Sequence, residues 1–120
     1  MSGLVGLHHV QLTSPVGSEE ASRWFYGTVL GLPEVAKPAP LAGRGGVWFR
    51  SAHLELHLGV EESFRPARKA HPAFAVHDVH AVELAVRTAG FETRWDEAIP
   101  DVRRFHCVDG SGNRVEVQQD

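Results

Sequence analysis

Two stretches of the chain predict matching helices: residues 18–31, SEEASRWFYGTVLG, and residues 78–90, DVHAVELAVRTAG. Each begins at a residue type that caps helix N-termini, Ser18 or Asp78, and each ends at a glycine that accepts a left-handed backbone, Gly31 or Gly90. The two caps are 60 positions apart and the two glycines are 59 apart. Such agreement is hard to obtain by chance, and it predicts a duplicated unit.

Alternating apolar residues predict strands around each helix. In the first half residues 5–13, 46–50 and 53–60 have this pattern, and residues 33–37 have it more weakly. In the second half residues 70–77, 91–96, 103–108 and 113–118 have it. Residues 43–46 and 109–113 are rich in turn-forming residues and predict hairpin turns. Each half is then a βαβββ unit. We therefore expect one α+β domain over residues 1–120, with pseudo-repeat halves at about 5–60 and 68–118.

The composition excludes several classes of protein. A hydrophobic content of 42% is ordinary for a soluble globular domain, and a net charge of −3 argues against a nucleic-acid partner. No apolar run approaches the roughly 18 residues needed to span a membrane. The single cysteine, Cys107, cannot form an internal disulfide and fits a reducing compartment. We expect a cytoplasmic protein that binds neither nucleic acid nor membranes.

Four side chains that can bind metals lie at matched positions in the two halves. His9 and His71 are 62 positions apart, and His57 and Glu116 are 59 apart. Strand alternation places His9, His57 and Glu116 opposite the apolar side that meets the helices, so they face either water or a shared cleft. A duplicated unit with ligands at equivalent points can build one metal site on its pseudo-twofold axis. A small-molecule metal site is the leading functional hypothesis.

The order of these motifs resembles the vicinal oxygen chelate superfamily, also called the glyoxalase/bleomycin resistance/dioxygenase superfamily. The resemblance covers essentially the whole chain. It is most specific in residues 25–32, FYGTVLGL, and 109–116, DGSGNRVE, and it includes residues 7–10, LHHV, 55–58, ELHL, and 70–76, AHPAFAV. The family's fold implies two tandem βαβββ modules that form a cupped mixed sheet around a central cleft.

The resemblance also implies a set of ligands. The family's metal-binding positions fall on His9, His71 and Glu116, a 2-His-1-carboxylate set that suits Fe, Mn, Ni, Co or Zn. His57 falls on a fourth position, where glyoxalases have glutamate or glutamine. It is either a fourth ligand or a hydrogen-bonded residue of the cleft. The missing carboxylate argues against glyoxalase I activity, because that reaction uses a glutamate base beside the metal.

Further side chains are candidates for catalysis and substrate binding. Glu55 lies on the same strand face as His57 and is a candidate base. His106 occupies a place similar to that of a substrate-contacting tyrosine in fosfomycin-resistance thiol transferases, where a histidine could act as acid or base near neutral pH. Gln11 is a candidate substrate contact, and Arg103 or Arg104 could pair with an anionic substrate.

These expectations lead to two hypotheses of function. The first is a metalloenzyme whose divalent ion acts as a Lewis acid on a substrate with vicinal oxygens; the reaction is an isomerisation, epimerisation, thiol addition or ring cleavage. The second is a non-catalytic protein that sequesters a small molecule, similar to bleomycin-binding members of the superfamily. The resemblance implies a homodimer in either case.

Overall fold

The computed structural model of the protein describes residues 3–120 and contains two similar modules. The first comprises β1 (Val10–Pro15), α1 (Glu19–Ser22) continuing as a π-helix (Arg23–Val29), β2 (Glu34–Val35), a 3-10 helix (Ala39–Arg44), β3 (Val47–Arg50) and β4 (Glu55–Glu61). The second comprises β5 (Ala73–Val76), α2 (Val79–Thr88), β6 (Arg94–Asp96), β7 (Arg104–Val108) and β8 (Arg114–Gln119). The α+β class and the two βαβββ modules are confirmed.

Each module forms its own four-stranded mixed sheet, and the two sheets have the same topology. The strand orders are β1-β4-β3-β2 and β5-β8-β7-β6. In both sheets the first strand runs parallel to the last, and the other pairs are antiparallel. The register pairs Gln11 with His57 in one sheet and Ala73 with Glu116 in the other. His57 and Glu116 therefore occupy equivalent places.

The two predicted helices begin differently. The Asp78 carboxylate caps α2 by accepting a hydrogen bond from the backbone N–H of Ala81 at 3.0 Å. The Ser18 hydroxyl instead donates to the carbonyl of Pro15. The first helix also widens into a π-helix, and the N–H of Leu30 donates to the carbonyl five residues earlier. Both helices stop at the predicted glycines, Gly31 and Gly90, with φ of 81° and 98°.

One core serves both modules. The apolar faces of the two sheets and the inner faces of the helices meet in it, and its largest fully buried side chains include Phe25, Tyr26, Phe49, Leu56 and Phe105. Because each sheet uses its apolar face for this core, its polar face is turned away from the core. Side chains from the two modules nevertheless meet at one cavity, which is lined by Gln11 and Thr13 of β1 together with His71 and Arg114.

The first strand is shorter than the predicted 5–13. It begins at Val10, which pairs with Leu56 near the start of β4. Within residues 3–120, the residues before Val10 form no ladder, since the pairing with β4 begins at Val10 and β4 itself reaches back only to Glu55. Val5 and Leu7 in this segment are fully or largely exposed, at 105% and 82%.

The predicted hairpin turn at residues 43–46 is replaced by a longer connection. The 3-10 helix reaches Arg44, and Gly45 and Gly46 follow with φ of 76° and 88° before β3 begins. The second predicted turn, 109–113, does join β7 to β8, and the Asp109 carboxylate accepts from the N–H groups of Ser111 and Asn113. Within residues 3–120 no helix has the length and hydropathy needed to cross a bilayer.

Candidate functional site

Three side chains that can bind a metal converge on the polar face of the second sheet. His71 precedes β5, His106 lies on β7 and Glu116 lies on β8; one ligand atom from each lies within 4.8 Å of the other two. His106 and Glu116 are cross-strand partners. The N–H of Glu116 donates to the carbonyl of Pro72 at 3.0 Å, which brings His71 beside β8. Two imidazoles and a carboxylate are a donor set that fits a first-row divalent metal.

The hydrogen bonds of His71 select its metal-facing nitrogen. Its Nδ1 lies 2.7 Å from the carbonyl oxygen of Lys69, which can only accept, so Nδ1 carries a proton. Its Nε2 lies 3.0 Å from Oε1 of Glu116. A carbonyl behind the distal nitrogen is an arrangement that orients metal-binding imidazoles. His71 therefore presents Nε2 to the cluster.

Two further charged side chains, Asp96 and Arg104, hold the cluster in place. Nε2 of His106 lies 2.8 Å from Oδ2 of Asp96. Arg104 reaches both acids, with Nη2 3.1 Å from Asp96 and Nη1 3.4 Å from Glu116. Burial raises the pKa of Glu116, but the hydrogen bonds from His71 and Arg104 and the charge of Arg104 outweigh it, and the pKa is lowered. Arg104, predicted as a substrate contact, is thus engaged by carboxylates.

Asp96 is a residue that sequence reasoning missed. Hydrogen bonds from the N–H of Ala98 and from His106 lower the pKa of its carboxyl, so it stays charged behind the imidazole. Only the pairing between strands could have pointed to it, because the antiparallel register of β6 and β7 places Asp96 opposite Arg104. That pairing depends on the loop length between β6 and β7, which alternation within one strand does not reveal.

The other two predicted ligands lie together on the first sheet. The Trp48 and His57 rings stack with centroids 3.7 Å apart and planes within 3°, and the His57 and His9 rings stack with centroids 4.2 Å apart. Nε2 of His57 lies 2.8 Å from Oε2 of Glu55, and the His57 side chain is only 5% exposed. The structure brings His9 and His57 together, and His71 and Glu116 together, but among residues 3–120 no group of metal-capable side chains combines the two pairs.

The remaining predicted site residues are spread over three places. Hydrogen bonds from Arg50 and His57 lower the pKa of Glu55 to about 2, which weakens it as a base because a general base works best with a pKa near the operating pH. Gln11 and His71 line one cavity of about 470 Å³. Arg103 and Arg104 line another of about 600 Å³, at the edge of the second sheet.

Comparisons with known proteins agree with this architecture. A glyoxalase family protein from Bacillus anthracis is 42% identical, with a TM-score of 0.95 over 100% of this chain and 98% of its own. A glyoxalase/dioxygenase from Nostoc punctiforme is 25% identical, with a TM-score of 0.79 over 98% of this chain and 92% of its own. An antibiotic binding protein from a Streptomyces species shares the fold at 20% identity, with a TM-score of 0.69 over 97% and 98% of the two chains.

Two other comparisons gave nothing further. No protein-family model matches the sequence, and no curated protein matches it significantly. The 42% identity extends over the whole chain, and the paired βαβββ modules are shared throughout. The chain therefore belongs to the glyoxalase family of proteins, within the vicinal oxygen chelate superfamily.

Proposed function

We propose that this protein is a metal-dependent enzyme that acts on a small substrate with two adjacent oxygens. The observation that carries the proposal is the convergence of His71, His106 and Glu116 within 4.8 Å on one sheet face. This donor set suits Fe(II), Mn, Co, Ni or Zn and leaves coordination positions for a substrate. When bound, such an ion would act as a Lewis acid toward the substrate oxygens.

In this proposal the surrounding residues have distinct roles. Arg104 orients the Glu116 carboxylate, and Asp96 orients the His106 ring by occupying its Nε2. We assign His106 to metal binding rather than to proton transfer. Its Nε2 is bonded to Asp96, and the ring lies within the group formed with His71 and Glu116. Glu55 is left as a partner of Arg50 and His57.

The proposal is tested by measuring bound metal. Protein without a histidine tag is incubated separately with Fe(II), Mn, Co, Ni and Zn, dialysed and analysed by elemental mass spectrometry. We expect about one ion per chain, lost in H71A and E116A and weakened in H106A. H77A is the matched control, since the His77 side chain is 98% exposed. Failure to retain any of the five metals would overturn the proposal.

We also propose a homodimer in which a second copy completes the site. Support comes from the separation of His9 and His57 from the His71 cluster, since a partner's first sheet could supply the side chains that this chain keeps apart. The exposed apolar side chains of Val5 and Leu7, beside edge strand β1, offer a surface for such a contact. Light scattering after gel filtration should give twice the chain mass, and a V5D/L7D variant should give a monomer. A monomeric wild-type protein would exclude this arrangement.

Cys107 supports a place in the cytoplasm for this enzyme. The residue is a free, buried thiol in the core, and burial raises the pKa of that thiol to about 12. Such a thiol is a poor nucleophile and needs no oxidising compartment. Fractionation of the source cells would check the location.

A second candidate function, sequestration of a planar small molecule, is favoured by one observation. The rings of Trp48, His57 and His9 stack in a row on the first sheet, and the exposed His9 ring at the end of the row could extend the stack onto a ligand. A protein with this fold is an antibiotic binding protein. Calorimetric titration of metal-free protein with bleomycin separates the candidates: tight binding without metal favours sequestration, and metal retention without drug binding favours the enzyme.

A further inference from the structure

We propose that a cationic cavity beside the metal cluster binds the anionic group, a carboxylate or a phosphate, of the substrate. This inference rests on the proposed function and narrows its substrate class to small acids. The cavity has a volume of about 470 Å³, and the side chains that matter for the argument are Gln11, Thr13, Arg65, His71, Asn113 and Arg114. They come from β1, from the linker between the modules and from the start of β8.

The charge of the cavity lining favours an anion. Arg65 and Arg114 bring two guanidinium groups to the lining, and no carboxylate is among the described residues that line the cavity. The Glu61 carboxylate accepts a hydrogen bond from the Thr13 hydroxyl at 2.7 Å, so one carboxylate lies beside the cavity against the two guanidinium groups of its lining. Guanidinium groups recognise carboxylates and phosphates through paired N–H donors.

Arg114 is held in place without being neutralised. Its Nη1 donates to the carbonyl oxygen of Arg68 at 3.0 Å. Within residues 3–120 neither Arg65 nor Arg114 forms an ion pair with a carboxylate, whereas Arg104 pairs with both Asp96 and Glu116. Of these three arginines, Arg65 and Arg114 therefore keep guanidinium groups that no carboxylate engages, and both line this cavity.

The cavity adjoins the metal cluster through shared residues. His71 belongs to both the cavity wall and the cluster. Arg114 also lies on the same face of β8 as Glu116, two residues along the strand. An anion held by Arg65 and Arg114 would place the adjoining part of a small substrate beside His71 and Glu116.

The test uses two probes on metal-free protein at constant ionic strength, inorganic phosphate and malonate, so that the two kinds of anion are compared. Binding is followed by nitrogen-15 NMR of the backbone amides and arginine side chains. We expect saturable shifts at Arg65, Arg114 and Asn113 for at least one probe. R65Q and R114Q should each weaken binding about ten- to hundred-fold, as expected for a charge-assisted hydrogen bond. R44Q, at an exposed position of the 3-10 helix, should bind like wild type.

The outcomes separate this inference from the metal proposal. A preference for phosphate or for malonate supports the cavity and identifies the kind of acid. No saturable binding of either probe, or binding undiminished in both R65Q and R114Q, overturns it. Because neither arginine is a proposed ligand, R114Q should retain its metal. If the protein binds the anion but retains none of the five metals, the anion site is supported and the proposed metal-dependent function is overturned.

Discussion

Nε2 of His71 lies 3.0 Å from Oε1 of Glu116, although the two residues are 45 positions apart in the chain. The parallel pairing of β5 with β8 produces this contact, because it places Ala73 opposite Glu116 and so brings His71, two residues earlier, beside the start of β8. The carbonyl of Lys69 and the guanidinium of Arg104 then fix the two side chains from behind. The fold itself thus holds an imidazole and a carboxylate in a position suited to a shared cation.

Asp96 is expected to control metal affinity through His106. In D96N the charge behind the imidazole is lost while the side chain keeps its size, and loss of such a partner typically lowers metal affinity about 10- to 100-fold. Competition with a chelator of known affinity measures the change, and thermal unfolding without metal checks the fold. D101N, at an exposed position of the connection that follows β6, is the control. Equal affinities of D96N and wild type would show that Asp96 does not support a ligand.

Tyr26 is expected to stabilise the contact between the modules. Its hydroxyl donates to Oδ2 of Asp109 at 2.7 Å, and burial, followed by the nearby Asp109 charge, raises the pKa of the phenol. In Y26F, Oδ2 of the buried Asp109 loses this hydrogen-bond donor. We expect a loss of about 1–3 kcal/mol in the free energy of unfolding, measured by urea denaturation. A variant as stable as wild type would mean that the Asn113 amide, 2.9 Å from the same oxygen, suffices.

Gly46 is expected to tolerate no side chain. Its φ is 88°, and a Cβ there would collide with the backbone carbonyl of Leu58 on the neighbouring strand. The free energy of unfolding of G46A should be lower by about 4 kcal/mol or more, because neither backbone segment can move away from the clash. Gly90 provides the matched control, since its φ is 98° but nothing lies within 4 Å of an added Cβ. In G90A the free energy of unfolding should fall by only roughly 1–2 kcal/mol, the penalty for a left-handed backbone at a residue with a Cβ. Similar losses in the two variants, measured by urea denaturation, would exclude the collision as the cause.

Glu83 is expected to make stability depend on pH in the acid range. Hydrogen bonds from Arg87 and from the Thr93 hydroxyl lower the pKa of this carboxyl in the folded protein. A lowered folded pKa adds stability above the unfolded value of about 4.3, and that stability is lost as the pH falls through the folded value. E83Q should be less stable than wild type by roughly 1 kcal/mol at neutral pH, and the difference should shrink as the pH falls below the unfolded value and through the lowered folded value.

The measurement is urea unfolding across that pH range, with E92Q at an exposed position as control. A difference between wild type and E83Q that stays constant with pH would contradict the role of the Glu83 charge.

Local pattern was sufficient for the architecture. Helix caps, terminating glycines and strand alternation depend on residues close in sequence, so Asp78, Gly31 and Gly90 could be read directly. The errors concern the first strand, the Ser18 cap and the first connection. Residues 5–9 alternate like a strand, but in the described part of the chain the ladder with β4 begins only at Val10. The Ser18 hydroxyl bonds to Pro15 rather than to the helix, and the 3-10 helix runs into the predicted turn at 43–46 as far as Arg44.

The sequence by itself determined the duplication, the polar face of each strand and the residue types that can bind a metal, because these follow from spacing along one chain. Only the tertiary structure decided which of those residues meet. The packing places His9 beside His57, and it places His71 and Glu116 together with His106; within residues 3–120 no metal-capable group combines the two pairs. Cross-strand pairing added Asp96 and Arg104 around that cluster. The distance between side chains of different strands or modules depends on how the sheets pack, and sequence spacing within one module does not specify that packing.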